Sequence, residues 1–116
     1  MAYSYNQIPL IQKTYDLYKL IYENSKTFPK SEKYSLAEKI KNLTLEILEL
    51  LMEAESAKRD WKAPILEKIN RKLGLLKLLL RLTNEIKVID NKKYLNLTER
   101  TQEIGKMLGG WIKVVA

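Results

Sequence analysis

The stretch LEKINRKLGLLKLLLRLT, Leu66 to Thr83, carries the period on which the architecture rests. Leu66, Ile69, Leu73, Leu76, Leu80 and Thr83 step by three and four, the period of one helix face. The spacing recurs on both sides. Upstream it runs through Leu36, Ile40, Leu43, Ile47, Leu50, Ala54 and Ala57, and downstream through Leu97, Thr101, Ile104, Leu108, Trp111 and Val115. Nearer the start, Ile8, Ile11, Tyr15, Tyr18 and Tyr22 give a fourth stripe. Two-residue alternation is nowhere sustained, and β-branched clusters are absent, so no strand is expected. Four amphipathic helices with short connections pack as an all-α, antiparallel up-down-up-down four-helix bundle.

Breaker residues set the boundaries. Thr27-Phe28-Pro29-Lys30-Ser31 separates the first helix from the second, and IDNKKYLN, Ile89 to Asn96, separates the third from the fourth. Proline is tolerated in a helix's first turn, so Pro64 marks the start of the third. Asn96 with Glu99 three residues on has the form of a capping box opening the fourth. The expected helices are roughly 9–25, 31–57, 62–89 and 97–115, in one domain of residues 1–116.

With 116 residues the chain is long enough to bury a core unaided. It has no cysteine and no histidine. That excludes disulfides, Cys/His zinc sites, Cys-His and Ser-His-Asp nucleophiles and a histidine general base. No Gly-rich phosphate loop or nucleophile elbow is present either, so an enzyme is not expected, and no cofactor is called for. No apolar run is long enough to span a membrane or form a signal-peptide core, which points to a cytoplasmic protein.

The net charge of +7 is patterned. Lys58 to Lys93 holds eleven Lys/Arg against four Asp/Glu, and Lys26 to Lys41 holds five against two. Between them Glu46, Glu49, Glu53 and Glu55 stand with no base from Asn42 to Ala57. A patterned basic excess suits a polyanionic partner such as RNA or DNA. The candidate phosphate-binding residues are Lys68, Arg71, Lys72, Lys77 and Arg81 on the third helix, with Lys106 and Lys113 on the fourth. Arg81 interrupts a leucine run, so its stem is expected to be half covered while its guanidinium reaches solvent or a groove.

The line Glu46-Glu49-Glu53 has helical spacing, but di-metal carboxylate sites ordinarily add Glu-x-x-His elements. A solvated face is the better reading. Tyr15, Tyr18 and Tyr22 are expected to pack in the core with hydroxyls at its rim; Tyr3 and Tyr5 precede the helix and carry no assignment.

Two helices are apolar on more than one side. Leu45, Leu48 and Met52 lie outside the second helix's main stripe, and Leu75, Leu79, Leu82 and Ile86 form a second stripe on the third. A bundle core uses one face per helix, so the surplus predicts self-association. Gly105 and Gly109 pose a related question, because each interior glycine costs a helix about 1 kcal/mol relative to alanine. Four residues apart, they share one line and permit close backbone approach, within the bundle or between subunits. Leu45, Leu48, Met52, Leu75, Leu79, Gly105 and Gly109 are the candidate oligomer interface.

Three segments in order, FPKSEKYSLAEKI (Phe28 to Ile40), LLLRLTNEI (Leu78 to Ile86) and EIGKMLGGWIK (Glu103 to Lys113), resemble Avd, the accessory variability determinant of diversity-generating retroelements. The similarity runs from about Ile8 to Lys113. The proteins encoded in intervening sequences of large-subunit ribosomal RNA genes share the four-helix fold and an FPK-like turn, and are the alternative. They typically end helix two with an Asn-Ile-Ala-Glu-Gly-like segment, where this chain has LMEAES at Leu51 to Ser56. Resemblance to Avd implies a basic homopentameric barrel that binds nucleic acid and a reverse transcriptase, supporting mutagenic cDNA synthesis and retrohoming without catalysing it. It carries over the cations Lys30, Lys33, Lys39, Arg81, Lys106 and Lys113. Lys68, Arg71, Lys72 and Lys77 lie outside the matching segments and rest on charge alone. Many relatives use more arginine; lysine keeps the charge but loses bidentate phosphate geometry.

Overall fold

The computed structural model describes residues 7–115. It contains α1 (Gln7–Ser25), a single turn α2 (Lys30–Lys33), α3 (Leu36–Ser56), α4 (Arg59–Glu85) and α5 (Asn91–Val115), with no strand among the described residues. The four long helices form the expected bundle: α1 packs on α3 and α5, and α4 packs on the same two. Polar links between opposite ends make neighbours antiparallel. Arg59, opening α4, donates through Nη2 to the Val114 carbonyl near the end of α5 at 3.1 Å. Lys93, early in α5, reaches the Thr27 hydroxyl just beyond α1 at 3.4 Å. The long dimension of 43 Å is close to that of α4 alone, whose 27 residues rise ~1.5 Å each.

The α4 stripe is buried as spaced: Leu66, Ile69, Leu73, Leu76, Leu80 and Thr83. In α5, Leu97, Thr101, Ile104, Leu108 and Trp111 follow the expected line, and Val115 is half-buried. In α3 the line shifts at both ends, with Ala37 and Leu51 buried while Leu36 and Leu50 are half-buried.

α1 departs further. Leu10, Thr14, Leu17 and Ile21 are its core residues, while Tyr15 and Tyr22 are 51% and 46% exposed. The tyrosine stripe is therefore not the core stripe. Two apolar lines run side by side on this helix, and the one without phenol hydroxyls goes inward because it leaves fewer polar atoms to satisfy. Tyr18 and Ile11 are half-buried between them. The Ile8 side chain, Tyr3 and Tyr5 lie outside the described residues.

Each long helix buries one threonine, and each hydroxyl donates to a carbonyl of its own helix: Thr14 to Leu10, Thr44 to Ile40, Thr83 to Leu80 and Thr101 to Thr98. No buried side-chain polar atom lacks a partner among the described residues.

The joints correct the expected boundaries. The second helix is interrupted at Tyr34 and Ser35, leaving α2 as a separate turn, while Phe28 inserts into the core beside it. α4 begins at Arg59 rather than near 62, so Pro64 sits inside it and removes one backbone bond close to the helix end. Lys62 Nζ offsets the tight α3–α4 connection by donating to the Ala54 and Glu55 carbonyls at 2.6 and 2.9 Å, satisfying the exposed end of α3.

α4 ends at Glu85, not 89, because the chain turns back there. Lys87 adopts φ 64°, and the Val88 and Lys87 amides donate to the Thr83 and Asn84 carbonyls. This is a Schellman closure with lysine where glycine is usual. α5 then starts six residues before the expected position. Asp90 is its N-cap, accepting from the Lys93 amide at 2.8 Å. Asn96 and Glu99 are exposed residues within the helix, not its cap.

Candidate nucleic-acid interface

At 3.6 residues per turn, residues four apart share a line and residues five apart lie about 140° apart. The basic residues of α4 consequently divide between two flanks. Lys68 and Lys72 look toward α3, where Lys72 Nζ meets Glu46 Oε1 at 2.7 Å. Lys77 and Arg81 look toward α5. Arg71 is exposed between them.

The α3 flank is partly neutralised. The Lys72 hydrogen bond holds the Glu46 carboxyl below the usual carboxylate range, against the opposing effect of partial burial and with further help from the charges of Lys72, Lys39 and Lys68. Glu46 thus belongs to an interhelix ion pair. Among the described residues no group of three or more acidic side chains is placed to hold a metal ion.

The α5 flank opens into a furrow of about 360 Å³ lined by Gly74, Lys77, Leu78 and Arg81 of α4 and by Tyr94, Thr98 and Gln102 of α5. Lys77 has no acidic partner among the described residues, and Arg81 meets only Glu85, at 3.5 Å with both side chains mostly exposed. An ion pair in that setting holds its cation weakly. Arg81 lines the furrow with its side chain 60% exposed, more open than the half-covered stem expected.

Gly105 shapes the same seam. A Cβ there would stand 3.3 Å from Lys77 Nζ and 3.6 Å from Leu73 Cδ2, so the ammonium lies close over the glycine, at the end of a side chain free to shift. At Gly109 and Gly110 a Cβ would meet nothing within 4 Å. Neither glycine is approached by another helix's backbone within the bundle: Gly105 meets only side-chain tips, and Gly109 meets nothing. Lys106 and Lys113 are exposed on the outer side of α5, without acidic partners among the described residues.

Tyr94, Thr98 and Gln102 form a furrow wall that sequence reasoning misses. They are spaced by four, which is signal enough once α5 is known to start at Asn91; a helix start at 97 puts Tyr94 in a loop.

The apolar surplus also divides. Leu45 follows Lys41 by one turn, and Lys41 Nζ lies 5.9 Å from the Tyr22 ring of α1. Leu45, Leu48 and Met52 thus run along the α1 flank of α3, with Leu45 and Met52 43% and 48% exposed. Leu75 and Leu79 continue the Lys72 line on the α3 flank of α4, with Leu82 and Ile86 exposed beyond them. No helix among the described residues is long and apolar enough to cross a membrane.

A family model described as bAvd-like matches residues 9–115. No curated protein matches the chain.

Proposed function

The chain belongs to the bAvd-like family, and on that premise we propose that it is the accessory nucleic-acid-binding protein of a diversity-generating retroelement. In this reading it holds RNA and DNA for a reverse transcriptase during mutagenic cDNA synthesis and retrohoming, in the cytoplasm, and leaves the chemistry to the polymerase. The observation that carries the reading is the α4–α5 furrow, where Lys77 and Arg81 stand without a strong acidic partner beside the exposed Arg71. Cations in such a setting exchange water and counterions for phosphate at little desolvation cost.

The two apolar stripes support self-association. A two-fold contact uses one self-complementary patch, whereas a ring joins two different patches head to tail. Leu45-Leu48-Met52 and Leu75-Leu79 lie on different flanks and supply two such patches. Resemblance to Avd supports five subunits for that ring, a homopentamer. It would repeat the furrow around its circumference, so modest single contacts add through multivalency.

The test is salt-dependent binding of structured RNA and duplex DNA, followed by co-purification with the retroelement's reverse transcriptase. Affinity should fall steeply with salt and rise with nucleic-acid length until several protomers are engaged. Protein that assembles but shows no salt-sensitive binding to any nucleic acid is a scaffold with a solvated basic face.

A further inference from the structure

The segment Phe28 to Ile40 helps to build a second polar feature, on the α1–α3 side of the bundle. Where the end of α1 meets α2 and the start of α3, a cleft of about 160 Å³ is lined by Tyr22, Ser25, Lys26, Lys33, Tyr34, Ala37, Glu38 and Lys41. Tyr34 is 78% exposed and Tyr22 46% exposed, so both rings are accessible to a ligand.

Of the two rings, Tyr22 is paired with cations. Lys26 Nζ lies 5.1 Å from the Tyr22 centroid and Lys41 Nζ 5.9 Å from it. Two turns back on the same α1 line, Lys19 repeats the arrangement over Tyr15 at 5.1 Å. Lys26 and Lys41 also touch Glu23 and Glu38 at 3.3 and 3.0 Å; the Lys26–Glu23 pair is exposed and easily exchanged, while the Lys41 side chain is mostly covered. Lys33 has no acidic partner among the described residues, and Lys30 and Lys39 are exposed nearby.

We propose that this cleft binds an unpaired nucleobase of single-stranded RNA or DNA, stacked against Tyr22 and Tyr34, with the flanking phosphates on Lys26, Lys33 and Lys41. Duplex nucleic acid offers phosphates but keeps its base faces covered, so it cannot use the rings. An acidic peptide would satisfy the lysines but leave both rings unused. Single strands offer both a negative backbone and open π-faces, and proteins that hold them combine a basic track with aromatic platforms. The cleft stands at the α2 end of the α1–α3 seam, and the Leu45-Leu48-Met52 stripe runs away from it. The site is independent of the furrow: different helices build it, and it selects strandedness rather than charge alone.

The experiment measures fluorescence anisotropy of labelled dT20, an abasic oligonucleotide of equal length and a duplex of matched charge, each against full-length protein. Wild type should prefer dT20 to the abasic strand. The double variant Tyr22→Ala/Tyr34→Ala should bind dT20 about 10- to 100-fold more weakly, with unchanged salt slope and unchanged duplex affinity. Tyr22→Phe/Tyr34→Phe should keep wild-type affinity, because stacking needs the ring and not the hydroxyl. Circular dichroism and light scattering on the alanine variant confirm that fold and assembly survive; Tyr34→Ala alone, at the more exposed position, gives the same reading in smaller measure. Equal wild-type affinity for dT20 and the abasic strand overturns the proposal. So does an alanine variant that binds dT20 as wild type does, or one whose duplex binding falls in parallel.

Discussion

Along the flank of α4 that meets α3, Lys72 is held by Glu46 at 2.7 Å and the line continues into Leu75 and Leu79. Along the flank that meets α5, Lys77 lies over Gly105 and Arg81 opens into a furrow with a tyrosine, a threonine and a glutamine. One helix thus presents an apolar, charge-compensated side and an uncompensated basic side. Local charge counted along a sequence therefore overstates what a partner can reach. Whether a lysine can meet a phosphate depends on which neighbouring helix its flank faces.

The apolar flanks should respond most strongly to substitution. Leu79→Glu on α4 and Leu48→Glu on α3 should each abolish assembly while leaving helicity intact, as read by light scattering and circular dichroism. If the two stripes are the two halves of a head-to-tail contact, mixing these variants restores one intact pairing. The mixture should then form dimers and nothing larger. Two variants that stay monomeric when mixed would mean that the stripes do not meet each other.

Next comes the basic flank. Lys77→Glu/Arg81→Glu should weaken RNA and duplex binding on the order of 100-fold at low salt and flatten the salt slope by about 2, one unit for each phosphate no longer neutralised. Lys72→Ala should change affinity less than about 3-fold, because Glu46 already occupies that ammonium. Equal losses from the two changes would erase the distinction between flanks. Assembly of the double variant is checked first by light scattering.

Gly109 tests the far end of the furrow line. Leucine there has open space in a single protomer and gains up to about 1 kcal/mol of helix propensity. If a second subunit approaches at Gly109, Gly109→Leu should impair assembly nonetheless. A variant that assembles normally and melts at a higher temperature would show that the position faces only solvent.

The Glu46 tie should matter least. Its folded-state pKa lies below the unfolded one, so its stabilising contribution is present above the ordinary carboxylate pKa of about 4.3 and is lost as pH falls through the lower folded value. Glu46→Gln should therefore flatten stability against pH only in that acidic window, and slightly, since the side chain is 45% exposed. At neutral pH the same change releases Lys72 and should tighten nucleic-acid binding by about 2-fold. Unchanged or weaker binding would mean that Lys72 is not within reach of phosphate.

How much of the molecule is legible in its sequence depends on side-chain chemistry. The α4 core line is readable residue by residue because leucine and isoleucine have no competing use for water. On α1 the tyrosines keep helical spacing and still stand outside, since a ring with a hydroxyl is stable at either a rim or a surface; a neighbouring, more apolar line decides the matter. The start of α5 escapes such a reading because Asn96 and Glu99 mimic a cap, while the working cap, Asp90, lies among breaker residues. The furrow is invisible in one dimension. Lys77 and Gly105 are far apart in sequence, and only the antiparallel packing of α4 on α5 brings them together. The cleft at Tyr22 and Tyr34 has the same origin, as it joins three elements across two turns.

The four buried threonines have a consequence for how such a chain can change over time. Each bonds only within its own helix, so no buried hydroxyl ties one helix to another among the described residues. Polar links between helices, such as Lys72–Glu46, Lys62–Ala54 and Arg59–Val114, stand at rims and ends. An interior without cross-helix polar pairs imposes few matched substitutions. A core position can exchange one aliphatic residue for another as long as total volume and period are kept. Drift in the core can therefore erase residue identity between relatives while the stripe remains, and the period of the stripe outlasts the residues that first wrote it.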